Sequence, residues 1–152
     1  MLFRSDLAAK GRLKDAAVFE AQVKRMLADP KATRMMNGFV DQWLIVRNVN
    51  TAEPDPNLFP DFDDTLRDAM LKETELFFES QVRGNQGVLE LLTAKYTFLN
   101  QQLARHYGIT NVYGSHFRRV AINDANRVGL LGQSSILAVS SYAHRKIGRA
   151  HV

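Results

Sequence analysis

Apolar positions recur along most of the chain at three- and four-residue intervals, the period of a helix face, and alternation is confined to one short stretch. The strongest stripe runs through residues 29–47, DPKATRMMNGFVDQWLIVR, where Met36, Phe39, Val40, Trp43 and Leu44 share one side of a helix. Asp29 offers an N-cap acceptor, and Pro30 suits the first helical position, where a missing N–H leaves no bond unmade. The only tryptophan lies in this stripe, so the pattern predicts that this helix forms the centre of the core. Upstream, residues 5–10 form a helical turn ended by Gly11, and Asp15 caps a helix to Ala28 whose Phe19, Val23, Met26 and Leu27 share a face. The short join at Pro30 predicts that these two helices pack as an αα-hairpin.

Residues 48–60, NVNTAEPDPNLFP, hold three of the four prolines and read as an ordered extended connection anchored by Leu58 and Phe59. A third helix is predicted over residues 63–82, with Phe62, Leu66, Ala69, Met70, Leu76 and Phe77 inward and Asp61, Asp63 and Asp64 at its positive end. Gly84 and Gly87 bracket a turn before a short apolar helix containing Val88, Leu89, Leu91 and Leu92. A helix over residues 97–107 follows, with Phe98, Leu99, Leu103 and Tyr107 inward and Gly108 as its stop. Residues 117–122 alternate weakly, 123–126 read as a turn, and 129–140 as a small final helix. The fold class is mainly α: an irregular bundle of five or six helices with a Pro-rich extended connection.

Composition narrows the chemistry. A chain of 152 residues, 45% hydrophobic and 24% charged, can bury a core without disulfides or metals. It has no cysteine, which excludes a disulfide framework, a thiolate zinc site, a cysteine nucleophile and a CxxCH haem attachment within these residues. No apolar run approaches the roughly 18 residues of a membrane span. The start, MLFRSDLAAKGRL, reaches Asp6 and Lys10 before supplying the roughly 7–15 apolar residues of a signal-peptide core.

Several residues stand out. Glu73 falls inside the stripe of the third helix, so its carboxylate is either paired with an arginine such as Arg47 or Arg127 or used as a general acid or base. His106 ends a predicted helix, where it complements the dipole, and no HxxxH or HExxH spacing links it to His116 as a metal pair. Arg105, Arg118, Arg119 and Arg127 with Tyr107, Tyr113 and Phe117 have the composition of a nucleic-acid surface, but no helix-turn-helix or RNA-binding signature accompanies them, and no nucleic-acid partner is expected. Gly129 and Gly132 lie in GLLGQ, which is neither GxGxxG nor a phosphate loop.

The order RMLADP (25–30), FVDQWL (39–44), FPDFDDTLRDAMLKET (59–74), YTFLNQQLARHYGI (96–109) and RVGLLGQSSIL (127–137) resembles the helical domains of unknown function in the large planctomycete-type cytochrome c-like proteins. The resemblance runs from about Leu7 to Ser141. It implies one helical domain over residues 1–141, cut from a longer multidomain protein exported to the periplasm or cell surface, with residues 127–141 beginning the following family domain. Haem c is expected in that parent and not in this fragment, and the partners are neighbouring domains of the same polypeptide. The family pattern matches Glu73 in KET and Asn100 in FLN, both read as structural, and it assigns no catalytic residue.

After Ser141 the family pattern is lost. Residues 147–152, IGRAHV, resemble the in-frame translation of a sequencing-adapter oligonucleotide, so the tail from 142 reads as artefactual at its end. Without Lys146 and Arg149 the net charge falls from +4 to +2, which weakens the case for an acidic partner. If the final helix normally packs on an absent domain, fraying is expected from Gly129 onward. The leading reading is a structural or interaction module without chemistry of its own. The alternatives are an enzyme domain using Glu73 and His106 in a cleft, and a free-standing helical binding protein.

Overall fold

The computed structural model describes residues 3–141. The reading of residues 142–152 lies outside the described residues. Between Met35 and Met36 the chain divides into two compact units.

The first unit contains α1 (Phe3–Ala9), a 3-10 turn (Arg12–Lys14) and α2 (Ala16–Ala28). Gly11 takes the left-handed conformation between α1 and the turn, and Asp15 caps α2 by accepting the Ala17 N–H at 3.0 Å. No residue of α2 is buried, and Phe19 and Met26 stand exposed, so the stripe expected to pack inward does not do so within this unit. Val23, Met26, Leu27, Ala32 and Met35 line an apolar groove of about 410 Å³.

Helix α3 (Ala32–Trp43) crosses the division between the units. It starts two residues after the expected Pro30: the Asp29 carboxylate accepts the Lys31 N–H at 2.9 Å, and i to i−3 bonds from Ala32, Thr33 and Arg34 form a tight turn leading into the helix. It ends short of the predicted Arg47, because Ile45 adopts φ 56 and turns the chain into a 3-10 segment (Val46–Thr51). A left-handed β-branched residue costs of order 1–3 kcal/mol. Fully burying Val46 and Val49, which the turn allows, gains about 1.5–3 kcal/mol each. The expectation that α3 carries the core through its tryptophan fails. Met36 and Val40 are buried, whereas Phe39 is 53% and Trp43 51% exposed.

The centre of the second unit is α4 (Asp64–Arg83). Asp63 caps it at the predicted place, accepting the Leu66 N–H at 2.7 Å. Leu66, Ala69, Met70, Glu73, Thr74, Phe77, Phe78 and Gln81 are buried along its length, a helix-period set wide enough for neighbours on more than one side. One apolar cluster joins Leu66 and Met70 to Val49, Leu99, Leu103 and Ala138, and a second joins Phe77 to Ala94 and Leu130. The Pro-rich connection is held by Arg67, which donates to the carbonyls of Asn50 (3.0 Å) and Ala52 (2.7 Å). Leu58, expected as an anchor, is exposed.

A short helix α5 (Glu90–Thr93) follows, and then the predicted helix over residues 97–107 resolves into two elements. Tyr96–Leu99 is strand β1, with Thr97 and Leu99 buried on alternate positions. Gln101–His106 is α6, whose N-cap is Asn100, accepting the Leu103 N–H at 2.9 Å. YTFL is rich in strand-forming residues, and Asn at a cap offers its side chain to a helix that starts after it. Gly108, at φ 67, stops α6, with the Ile109 N–H returning to the Ala104 carbonyl at 2.8 Å. Strand β2 (Arg118–Ala121) pairs antiparallel with β1, Tyr96 opposite Ala121 and Leu99 opposite Arg118.

The last described helix, α7 (Ser134–Val139), packs on α4 and on the 3-10 segment after α3. The expectation of fraying from Gly129 was tied to an absent domain, yet Leu130, Ser134 and Ser135 are buried within this unit, while Leu131 stands exposed. The glycines of GLLGQ are packing positions. A Cβ on Gly129, which has φ 63, would sit 2.4 Å from the Leu92 carbonyl oxygen, and one on Gly132 would sit 2.5 Å from the Arg127 carbonyl carbon. Gly129→Ala is therefore expected to lower stability by about 2 kcal/mol or more in urea unfolding. Gly87→Ala, with nothing within 4 Å of its Cβ position, should stay within about 0.5 kcal/mol of the parent chain. Equal effects at the two positions would contradict the close packing of residues 129–132 against 91–94.

Candidate functional site

Glu73 lies on the inward side of α4 and is 0% exposed. A buried carboxylate needs donors at both oxygens, and it has them. Thr97, on the inward side of β1, donates its hydroxyl to Oε1 at 2.6 Å, and Tyr107, the C-cap residue of α6, donates its phenol to Oε2 at 2.6 Å. The Tyr107 oxygen also accepts the Ser134 backbone N–H at 2.8 Å, a bond that satisfies one of the unpaired donors at the start of α7. One hydroxyl thus connects α4 to α7. The Arg127 guanidinium lies 4.5 Å from the centroid of the Tyr107 ring and reaches the Gly132 carbonyl (3.3 Å) and the Ser134 hydroxyl (3.5 Å).

A second buried polar group lies one residue along. Thr74 donates to the Gln133 side-chain oxygen at 2.8 Å and lies 2.5 Å from the Ser135 hydroxyl. The Gln133 Nε2 is buried without a hydrogen-bond partner.

Burial pushes the Glu73 carboxyl up to about 7, against the opposing pull of the Thr97 and Tyr107 hydrogen bonds and the Arg127 charge. Burial and the adjacent Glu73 push the Tyr107 phenol well above its ordinary range, so it remains a donor. The arrangement can hold a proton that exchanges near neutrality.

The residues singled out by sequence separate into different roles. Glu73 is buried and paired, but with two hydroxyls and with Arg127 acting across the Tyr107 ring. Arg47 is exposed and its charge acts on Asp41. Asn100 is the cap of α6. His106 ends α6 with its ring centroid 5.8 Å from that of Tyr107. It lines a cavity of about 310 Å³ with Leu58, Phe62, Gln102 and Arg105, and a small cavity of about 10 Å³ with Met70, Arg127 and Ser134. Glu73 lines neither of these cavities. The other arginines go separate ways: Arg119 lies over the Tyr96 ring at 3.7 Å, and Arg118 donates to the Tyr113 carbonyl.

Sequence reading missed Thr97 and Tyr107 as partners of Glu73, and Ser134 as the donor to Tyr107. The signal for Thr97 was the alternation of YTFL. Ser134 carried none, because it contributes a backbone N–H. Among the described residues no cluster of histidine and acidic side chains is placed to hold a metal ion, and no helix is long and apolar enough to cross a membrane.

Residues 5–109 match the model of PSD4, described as a protein of unknown function (DUF1592). The match takes in more than half of the chain, and the chain belongs to this family. No curated protein and no solved structure was found to match it. Glu73, Thr97, Asn100 and Tyr107 fall within the matched residues, whereas Arg127 and Ser134 lie beyond them.

The raised Glu73 carboxyl has a defined consequence for stability. Its folded value of about 7 exceeds the ordinary 4.5, so the folded chain retains a proton that the unfolded chain releases between these values. The resulting stabilisation is complete below pH 4.5 and is lost as pH rises through 7, by an amount of order 3 kcal/mol. Denaturant unfolding of the parent chain and Glu73→Gln from about pH 5 to 8 should show this fall in the parent and its absence in the variant. Identical pH profiles would contradict it.

Proposed function

We propose that this PSD4 family chain is a helical structural and interaction module of an exported, cytochrome c-like multidomain protein. In this reading haem c is carried elsewhere in the polypeptide, at the periplasm or cell surface, and the module docks neighbouring domains without performing chemistry. The observation that carries the reading is the contrast between a sealed polar centre and an exposed aromatic face. Glu73 is closed off from every cavity described above, whereas Phe39 and Trp43 stand about half exposed on α3.

The aromatic face is ordered in a way that suits docking. The Phe39 ring stacks on Phe78 at 5.6 Å between centroids and lies 5.6 Å from Trp43, so the rings are held in place before any partner arrives. Rigid aromatic side chains lose little rotamer freedom on contact and dominate the energy of many interfaces. The absence of cysteine places any thioether-linked haem outside these residues, in line with division of labour between a redox domain and a packing domain.

Sequencing the coding DNA through the codons for residues 141–152 and beyond tests the parent. A frame that continues into a CxxCH motif supports the reading, and a genuine stop codon after Val152 removes the haem context and favours a free-standing binding protein. For docking, a photo-crosslinker at position 43 of the full-length polypeptide should capture another domain of the same chain. The double variant Phe39→Ser, Trp43→Ser should lose domain association while costing no more than about 2 kcal/mol of the module's own stability. Association that survives the double variant would overturn the assignment of this face.

A further inference from the structure

Residues 127–139 close over the only buried carboxylate among the described residues; Thr74 also bonds Gln133 and Ser135, and Leu130 packs on Phe77, but a single side chain, Tyr107, joins the segment to that carboxylate. The Ser134 N–H binds the Tyr107 oxygen, the Tyr107 phenol binds Glu73, and Arg127 lies on the ring between them. We propose that this segment is a proton-controlled latch, held shut while Glu73 carries its proton and loosened when Glu73 ionises.

The direction follows from what opening does. Lifting residues 127–139 removes Ser134 from the Tyr107 oxygen, takes Arg127 off the ring and admits water to the Glu73 carboxyl. Burial is the largest influence on that carboxyl, and it favours the neutral form. The open state, being hydrated, releases the proton more readily than the closed state. By linkage, opening grows with pH between the lower titration of the open state and that of the closed state at about 7, at most tenfold per pH unit, and levels off above it.

Every group facing Glu73 bears on the size of the effect. The Thr97 hydroxyl meets it from β1, the Tyr107 phenol from the end of α6, and the Arg127 guanidinium from the segment itself. All three favour the ionised form in the closed state and so moderate the switch without reversing it. His106, beside the Tyr107 ring, is the other titratable side chain at the latch. The latch stands independently of the docking reading, since it concerns a contact inside the second unit.

Native-state hydrogen exchange on the full chain tests it, with opening constants for the α7 amides corrected for intrinsic exchange. Between about pH 5 and 7 the opening constant of Ser134–Val139 should rise by up to tenfold per pH unit and then level off, staying well above that of amides in the first half of α4, which open only with the whole chain. Glu73→Gln should flatten the rise and His106→Gln should retain it. Tyr107→Phe, which leaves Glu73 in place but removes the connecting hydroxyl, should raise opening about tenfold even at about pH 4.5, below the rise. A flat parent profile between about pH 5 and 7 overturns the latch, as does an α7 opening constant equal to that of α4, which would report global unfolding. A rise that persists in Glu73→Gln or disappears in His106→Gln also overturns it, and so does Tyr107→Phe with unchanged opening at low pH.

Discussion

A carboxylate placed in the middle of an apolar helix face constrains everything that packs around it. Glu73 cannot be left without donors, because an unpaired charge or an unsatisfied carboxyl in the interior costs several kcal/mol. Two hydroxyls meet that demand, and they come from distant points of the chain: Thr97 from a strand and Tyr107 from a helix end. Their positions fix the register of β1 on α4 and the rotation of α6 against it. Tyr107 in turn presents an oxygen that only a donor can occupy, and Ser134 at the start of α7 provides one. Apolar burial supplies most of the driving force, with Leu66, Met70 and Phe77 fully enclosed on the same helix. The polar chain decides which of many apolar packings is adopted.

The helical character of the chain and the limits of α2 and α4 were legible because caps and periodicity agreed: Asp15 and Asp63 both act as the acceptors their positions suggest. The split of residues 96–106 was harder to see. Phe98, Leu99 and Leu103 fit a helix face as well as they fit a strand followed by a capped helix, and only the Asn100 side chain separates the two. Glu73 was recognisable as a buried carboxylate from its spacing alone. Its hydroxyl partners were not, because hydroxyls are weak sequence signals, and the Ser134 N–H that meets Tyr107 is none at all.

Misplacing the core on α3 has a related cause. A hydrophobic stripe identifies a face that avoids water and does not say what covers it. Helix α3 presents Met36 and Val40 to the second unit and leaves Phe39 and Trp43 about half exposed, so an aromatic residue ranked highest by size lies outside the core that smaller residues build. Ile45 completes the difference. Its left-handed turn redirects the chain so that Val46 and Val49 become core residues, a change that no periodicity anticipates.

The matched family region ends at Ile109, yet the physical unit does not. Phe77 and Ala94 complete their cluster with Leu130, and Tyr107 completes its hydrogen bonding with Ser134, both beyond that boundary. Gly129 and Gly132 make this closure possible by bringing backbone against backbone where a side chain would collide. A boundary drawn after residue 109 would leave Glu73 and Tyr107 facing water on the side that Arg127 and Ser134 now cover. The carboxyl would then return toward its ordinary acidity, because burial is the main reason it departs from it. Both the buried carboxyl near neutrality and the packing of α7 therefore belong to the joined segments and to neither alone.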